Sequence, residues 1–548
     1  MPCCIDGRDL SPYHCCMRFG KLEIDPAVNP AVLDTVTWDP DQARRILSSV
    51  EKQYWHSVHR AVTEGSPLPG HDYCTAYRGS WARRGASVYS LGRLSDSQHV
   101  FIEIGPGDGS LGEPLQVMPL SRDLRLTAYA ANAATVREYV RTIRSDKGPR
   151  AMGAVPRLGI GTRMSTSVWP GIWRAMDEGR FAANAIQNSV RELNLLEDVL
   201  AARSPRSNYL YGFGTLEEGH TGSTFEGLWL AGVIEALKAD TEPTYGVDAD
   251  HITVRRGPGG LERAKRVIDA ARDYTFFTLD VSDIVDYALA GVDQLAGKYS
   301  VALDVVAELA AYIEDLKGDT PFDLELSIDE CPPRMDASAC LTNEAELLFL
   351  IEELRRREVP ITHVAPNVGI VKGQDYERAD ALAGFERRIR GLQDIAIEQG
   401  VMLDFHSGDD LRSAARQAIG RATGGRNHFK VSPSLQVIFA EVLHEVNPEG
   451  FQFWWDDTLA YARREATGGS EFAARCLRQY ENSEDLAPSP HHTFFHHYNF
   501  ASVGRRDQDG QFIHRRKFYD LPAVFYREYH DRTRRFLCNV AADVFGER

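Results

Sequence analysis

The run VMLDFHSG (401–408), the helical segment that follows it and the run NHFKVS (427–432) together decide the fold. Each run is short, largely apolar and polar at its end, which is typical of buried strands in a parallel sheet. Towards the N-terminus the same alternation of strand and helix continues through ITHVAPN (361–367), FDLELSIDE (322–330), TFFTLD (275–280), YGVDADHI (245–252), a weaker run YLYGFG (209–214) and LGIGTR (158–163). About eight such units predict an α/β protein with a (β/α)8 TIM-type barrel.

The segments outside this alternation predict two extensions. Residues 1–150 contain a helical stretch that Asp39 can cap, followed by short β-like runs such as SVYSLGRL and HVFIEI, which indicates an N-terminal α+β extension. Residues 451–548 are aromatic-rich and helical in pattern, which indicates a C-terminal helical extension. The catalytic barrel is therefore assigned to 151–450.

Composition limits the class of protein. The chain has 548 residues, 43% of them hydrophobic, and a formal charge of −16. The excess of acid argues against a nucleic-acid scaffold, and no apolar run is long enough for a membrane span. The N-terminus has no basic segment followed by an apolar one, so no secretory signal is expected. We predict a cytoplasmic enzyme with a small-molecule substrate. The sequence is compatible with a homo-oligomer.

Cysteine usage fits a reducing compartment. The nine cysteines include two doublets, Cys3-Cys4 and Cys15-Cys16, which lack the CxxC spacing of a zinc site. A reduced, loosely ordered terminus is favoured over a metal-binding tail.

Polar residues end nearly every predicted strand, which is where a barrel carries its active site. Imidazoles with a carboxylate suit Zn²⁺, Mn²⁺, Co²⁺ or Ni²⁺, and the candidate ligands are His406, His428 and Glu330 or its neighbour Asp329. Strand alternation points Asp329 inwards, so Glu330 needs a turn or bulge to face the same site. The alternative is that both histidines are satisfied core residues.

Lys430 and the segment Ser432-Pro433-Ser434 precede an apolar helix and have the form of an anion pocket. An ammonium and the free N–H groups of a helix N-terminus can hold a carboxylate or phosphate. Simple capping by Ser432 explains the same residues equally well.

Two other motifs offer competing interpretations. VFIEIGPGDGSLG (100–112) resembles the cofactor loop of S-adenosylmethionine-dependent methyltransferases, but prolines interrupt the helix that should follow, and the next strand lacks its acid. The cluster His491, His492, His496 and His497 could ligate a metal in a lid, although such a run more often lies at an aromatic interface.

The motifs DADH (248–251), HSGDD (406–410) and RATGG (421–425) followed by His428-Phe429-Lys430 resemble the tagaturonate epimerase family across about residues 155–450. The resemblance implies a metal-dependent barrel enzyme that interconverts tagaturonate and fructuronate. The chain departs from the family pattern where Thr162 replaces an aspartate and where Asn367 replaces an arginine, so it lacks one carboxylate and one guanidinium of that pattern. Another metal-dependent sugar isomerase or aldolase on the same barrel is the alternative.

The implied substrate suggests a mechanism, since the inverted carbon lies β to the ketone. Retro-aldol cleavage, rotation of the aldehyde fragment and re-addition would invert it, with a divalent ion as Lewis acid. Asp250 and Asp329 are the expected base and acid, supported by His251 and Asp248. The expected substrate-binding residues are Arg163, Lys430, His363, Asn367, Ser407 and Ser432.

Overall fold

The structure is a computed structural model of the whole chain. It describes residues 17–19, 22–24, 39–68, 70–96, 98–107, 109–189, 194–200, 203, 207–210, 214–217, 221–255, 257, 259–289, 291, 294–330, 340–371, 375–376, 380–506 and 512–546. The two cysteine doublets lie outside the described residues.

The strands form four sheets. They are β1 (Met17–Phe19), β2 (Leu22–Ile24), β3 (Cys74–Ala76), β4 (Ala82–Arg84), β5 (Ser87–Leu94), β6 (His99–Gly105), β7 (Gln116–Pro119), β8 (Arg125–Ala130), β9 (Arg157–Gly161), β10 (Ala182–Ser189), β11 (Ser207–Leu210), β12 (Gly214–Glu217), β13 (Tyr245–Thr253), β14 (Phe276–Asp280), β15 (Asp323–Ser327), β16 (His363–Ala365), β17 (Met402–Phe405) and β18 (His428–Val431).

Helices connect and cover these strands. They are α1 (Pro40–Ser49), α2 (Lys52–Glu64), α3 (Ala133–Glu138), α4 (Trp169–Gly179), α5 (Leu196–Leu200), α6 (Phe225–Lys238), α7 (Gly260–Ala270), α8 (Leu295–Lys317), α9 (Glu344–Arg356), α10 (Ala381–Glu398), α11 (Ser413–Thr423), α12 (Pro433–Val446), α13 (Pro448–Thr467), α14 (Glu471–Glu481), α15 (Thr493–Tyr498), α16 (Ala501–Gly504), α17 (Arg516–Tyr519) and α18 (Ala523–Phe545). In the described part of the chain, none of them combines the length and apolar character that a membrane crossing needs.

Among the described residues, eight parallel strands close into a barrel in the order β9, β10, β13, β14, β15, β16, β17, β18 and back to β9. A helix follows each strand, so the predicted (β/α)8 barrel with its α/β class is confirmed. Within the strands, apolar residues such as Leu324 and Leu326 alternate with polar residues such as Glu325. The apolar set packs under the helices and the polar set faces the barrel axis.

The prediction of the second barrel strand was wrong. YLYGFG (209–214) overlaps the separate antiparallel hairpin β11–β12, whereas the second barrel strand is β10, with the sequence AANAIQNS. Neighbouring strands and helices bury this segment. It is poor in the β-branched and aromatic residues that mark a strand in a sequence, so it carries no strong strand signal.

The N-terminal region forms an antiparallel sheet in the order β3, β5, β6, β8 and β7, with β4 beside β5. Its apolar face packs against α1 and α2, which agrees with the predicted α+β extension. Glu103 on β6 accepts hydrogen bonds from the Ser110 backbone N–H (2.9 Å) and the Tyr129 hydroxyl (2.8 Å), so the glycine-rich loop is tied to the sheet itself. The methyltransferase interpretation is wrong, because that fold requires a parallel strand and a helix here.

The C-terminal helices pack on the barrel. The long helix α18 contacts α4, α11 and α12, which flank the junction of the first and last barrel strands. A Cβ atom added at Gly171 on α4 would lie 2.8 Å from the backbone oxygen of His530 on α18. Glycine at this position therefore sets how closely the extension approaches the barrel.

Replacing Gly171 by alanine should lower the free energy of unfolding by about 1–3 kcal/mol, because the two helices must separate. Urea unfolding followed by circular dichroism measures this change. Gly70→Ala is the matched control, since nothing lies within 4 Å of a Cβ there. Equal stability of the Gly171→Ala variant and the wild type would contradict the close approach.

Candidate active site

Lys430 lies on the barrel axis inside a cluster of carboxylates. Its ammonium nitrogen is 2.9 Å from Asp250 Oδ1, 3.3 Å from Asp248 Oδ2, 3.1 Å from Glu325 Oε2 and 3.4 Å from Asp404 Oδ2. Only 3% of its side chain is exposed. We call these five residues the Lys430 cluster. Charges this deeply buried require close partners, which here are one another.

The order of the strands in the barrel explains how the members of the Lys430 cluster come together. Asp248 and Asp250 on β13, Glu325 on β15 and Asp404 on β17 come from alternate barrel strands, whose inward side chains share layers. Lys430 reaches them from β18. A Cβ added at Gly159 on the neighbouring β9 would lie 2.7 Å from Lys430 Cγ, so glycine leaves room for the lysine stem.

The pKa values in the cluster are driven apart. Burial, together with Asp250 and Asp404, raises the pKa of Asp248 to about 7 against the opposing effect of Lys430. Burial opposes ionisation of Asp250 too, but His251 and Lys430 lower its pKa below the ordinary value. Burial disfavours a charged lysine, yet the surrounding carboxylates raise the pKa of Lys430 well above its usual range. Lys430 is therefore a permanent cation.

The pKa values of Glu325 and Asp404 are also shifted in opposite directions. Burial and the nearby Asp404 raise the pKa of Glu325 well above the usual value for a glutamate. Burial acts against Asp404 in the same way, but His428 and Lys430 lower its pKa well below the ordinary value. Burial also lowers the pKa of His428 to about 4, although Asp404 opposes this effect.

His406 lies nearer the mouth of the barrel, just after β17. Its Nε2 is 2.8 Å from Glu325 Oε1, and its Nδ1 is 3.2 Å from Asp329 Oδ2. Burial disfavours the charged ring, but Asp329 and Glu325 raise the pKa of His406 well above its usual value.

A break in strand β13 turns His251 into the same mouth. The register of β13 against β14 shifts between Ala249 and Ile252, and His251 has a left-handed φ of 53°. A bulge of this kind re-aims a side chain, so that Asp250 and His251 face the barrel although they are consecutive. The His251 ring lies edge-on to His406 at 4.7 Å, and its Nδ1 is 3.5 Å from Asp280 Oδ2.

The described residues contain three groups whose ligand atoms lie within 4.8 Å of one another, as a metal ion requires. The groups are His251–Asp329–His406, His251–Asp280–Glu330 and Glu325–Asp404–His428. The predicted ligands Glu330, His406 and His428 thus lie in the same barrel interior but fall in three different groups. Among the described residues they do not form one ligand set.

Buried polar atoms in this region fit a cation. Within the described part of the chain, His406 Nδ1, His428 Nε2 and Asp404 Oδ1 are buried and make no hydrogen bond. Buried polar atoms are normally paired, and imidazole nitrogens with carboxylate oxygens are the donors that divalent transition ions prefer.

The predicted anion pocket is arranged differently from the expectation. Asp409 Oδ2 accepts the backbone N–H groups of Ser432 (3.0 Å) and Ser434 (2.6 Å), so a carboxylate of the chain itself caps α12. The Arg163 guanidinium donates to the Ser432 hydroxyl. Lys430 points away from this helix into its own cluster, so the three predicted groups do not form one pocket.

Three further residues were predicted to bind the substrate, and the structure places each in a different setting. His363 begins β16 instead of ending it, and its ring lies deep in the barrel, 4.8 Å from that of Phe276. Asn367 Oδ1 accepts the Gly369 N–H at 3.0 Å and stabilises a turn. Ser407 follows His406 in a left-handed conformation.

Two histidines of the 491–497 segment, His492 and His497, lie at an aromatic interface. The ring of His492 is 5.3 Å from that of Trp455, and the ring of His497 is 5.1 Å from that of Phe472. None of the three groups found among the described residues includes them. His496 approaches the barrel, with Nε2 3.9 Å from Asp410 Oδ1.

The sequence marks Asp280 and Asp404 as polar residues at strand ends without giving them a role, and it does not select Glu325 or Gln187 as site residues. Gln187 Nε2 donates to Asp250 Oδ2 at 3.2 Å, but it lies on the strand that was missed. A signal existed for Glu325, because the alternation in DLELSID places it on the same face as Asp329.

Comparison with known proteins supports the resemblance. Residues 290–459 match the family model described as UxaE, tagaturonate epimerase. A tagaturonate/fructuronate epimerase of Thermotoga maritima is 28% identical over 288 residues, which cover 45% of this chain and 54% of that protein. Over these residues the chain is similar to the tagaturonate epimerase family. The predicted resemblance is thereby confirmed, and the chain spans about half the length of the curated relative that it matches.

Solved structures of this family share the fold. The crystal structure of fructuronate-tagaturonate epimerase from Cohnella laeviribosi with two glycerols has a TM-score of 0.62 and 17% identity, covering 90% of this chain and all of that one. The native crystal structure of the same protein has a TM-score of 0.60 and 18% identity, with 90% and 99% covered.

Replacing Lys430 by methionine should cost about 3–5 kcal/mol of unfolding free energy at pH 8, because the buried carboxylates lose their cation. Without Lys430, which lowers the pKa of Asp248 and Asp250, these carboxyl groups titrate above their unfolded values. The deficit should therefore shrink as the pH falls. Urea unfolding between pH 5 and 8 measures it.

The control for this experiment is Lys265→Met, which breaks a more exposed ion pair with Glu308 (2.7 Å) and should cost less than about 1 kcal/mol. A pH-independent deficit in Lys430→Met would mean that lost packing, and not lost charge, destabilises the variant.

Proposed function

We propose that this protein is a metal-dependent epimerase of a keto-sugar acid, and that it interconverts tagaturonate and fructuronate. The named activity of its relatives supports this proposal. The observation that carries it is the group His251–Asp329–His406 at the barrel mouth, next to carboxylates whose pKa values are driven apart. We expect the enzyme to act in the cytoplasm.

The cation site is proposed to be His251, Asp329 and His406. Two imidazoles and one carboxylate are a common ligand set for divalent transition ions, so Zn²⁺, Mn²⁺, Co²⁺ and Ni²⁺ are the candidates. Such an ion would act as a Lewis acid that stabilises oxygen charge developing at the keto group. As a ligand, Asp329 would not serve as the acid or base that the sequence predicts.

Asp250 is proposed as the base. It is ionised because His251 and Lys430 lower its pKa, and Gln187 orients its second oxygen. It lies beside His251, with 4.0 Å between its Oδ2 and the imidazole Nε2. A proton-transfer group is also needed on the opposite face of the reacting carbon, and Asp280 and Glu330 are the buried carboxyl groups next to His251.

The proposed reaction inverts the carbon β to the ketone. Asp250 removes the proton of the hydroxyl group on this carbon. The C–O bond of this carbon becomes a carbonyl, and the electrons of the adjacent C–C bond pass to the keto fragment. The aldehyde rotates, the C–C bond re-forms on its other face, and the new alkoxide takes a proton from the opposite carboxyl group. Arg163, beside the mouth, is the proposed partner for the substrate carboxylate.

Purified protein should convert fructuronate to tagaturonate, followed by ¹³C NMR of the two sugars. Activity should be lost on removal of metal with a chelator and should return with one of the four ions. His406→Asn should remove both turnover and tight metal binding, because it deletes a proposed ligand. His491→Asn, at an exposed ring, is the control. Conversion of a ketose to an aldose instead would identify an isomerase, and full turnover by His406→Asn would refute the site.

Asp250→Asn should lower kcat by about 10²- to 10⁴-fold with a smaller change in KM, because it removes the proposed base but leaves the ligand group intact. Steady-state kinetics with both sugars measures this split. Asp273→Asn, in a surface ion pair with Arg137, should behave like the wild type. A rise in KM at unchanged kcat would reassign Asp250 to substrate binding.

A further inference from the structure

Glu325 joins the centre of the barrel to its mouth. Its Oε2 is 3.1 Å from the Lys430 ammonium, and its Oε1 is 2.8 Å from Nε2 of His406. The glutamate is fully buried, and 3% of each of the other two side chains is exposed. The carboxylate therefore contacts a fixed cation with one oxygen and an imidazole with the other.

A role as a metal ligand fits Glu325 less well than a supporting role. Glu325, Asp404 and His428 do bring ligand atoms within 4.8 Å of one another. The Lys430 ammonium, however, already lies 3.1 Å from Glu325 Oε2 and 3.4 Å from Asp404 Oδ2. A divalent ion in this group would meet that positive charge at close range, so the lysine takes the place of an ion there.

The contact with Glu325 determines which nitrogen of His406 faces the mouth. Because Nε2 is directed at the carboxylate, Nδ1 is the nitrogen on the side of Asp329, at 3.2 Å. The other carboxylate nearby cannot do this as well, since Asp404 Oδ2 is 3.8 Å from His406 Nε2 and only 2.7 Å from His428 Nδ1.

We infer that Glu325 is a positioning residue: it accepts a hydrogen bond from His406 Nε2 and holds Nδ1 towards the cation site. This inference rests on the cation site of the proposed function. A carboxylate behind a ligating imidazole fixes the ring and its tautomer and makes the ligand nitrogen more basic. Lys430 in turn holds the carboxylate.

Two substitutions separate the carboxyl group of Glu325 from its position. Glu325→Gln keeps the shape and replaces the carboxyl group by an amide, while Glu325→Asp keeps a carboxyl group beside Lys430 and withdraws it from His406. Both variants should bind Zn²⁺ about 10- to 100-fold more weakly than the wild type. The measurement is competition with a chelating dye on the metal-stripped full-length protein, after circular dichroism has verified folding.

Glu346→Gln is the matched control, because Glu346 is also a buried glutamate paired with a lysine, Lys298 at 2.6 Å, but it lies in the cap of α9. It should keep the wild-type Kd for Zn²⁺. The visible spectrum of the Co²⁺-loaded protein, which reports ligand geometry, should change in the Glu325 variants and not in this control.

The outcomes separate this inference from the proposed function. Wild-type affinity and an unchanged Co²⁺ spectrum in both Glu325 variants would overturn the positioning role and leave the cation site standing. Wild-type affinity in Glu325→Asp alone would also overturn it, because a carboxyl group withdrawn from His406 would then suffice. A wild-type protein that binds neither ion would refute the cation site itself.

Discussion

The ion pairing of Lys430 with buried carboxylates is the interaction on which the barrel interior depends. Four carboxylates within 3.4 Å of one ammonium would be strongly destabilising without it. The cluster also positions the residues nearer the mouth, because Glu325 contacts His406 and Asp250 precedes His251 in the chain. The charged groups at the centre of the barrel are thus one or two contacts away from the proposed ligands at its mouth.

The barrel makes this arrangement possible because its inward side chains come in layers from alternate strands. The carboxylates of the Lys430 cluster come from β13, β15 and β17, whereas Lys430 and Thr278 come from β18 and β14. Thr278 thus lies on a strand between two that carry carboxylates, and Lys430 lies on the strand next to the third. Apolar residues on the other face of each strand hold the register, since a slip of one residue would exchange the two faces.

Most barrel strands and the inward direction of Asp329 and Lys430 could be predicted from sequence, because period-two alternation is strong in segments such as DLELSID and HFKVS. Strand β10 could not, because its alanines and amides give no strand signal and its burial comes from neighbours. The grouping of ligands could not be predicted either. It depends on the bulge that turns His251 inwards. The arrangement at the expected anion pocket depends instead on Asp409, which caps α12 from another loop.

The strained backbone of His251 supports a role for its side chain at the barrel mouth. A left-handed φ of 53° in a residue other than glycine costs about 1–3 kcal/mol and persists only where the surroundings enforce it. A satisfied core histidine could occupy an extended strand without that cost. The strain places one imidazole in both mouth groups, between Asp329 and His406 on one side and Asp280 and Glu330 on the other. Among the described residues, His251 is the member that the two mouth groups share, so the strained turn fits the proposed chemistry at this point.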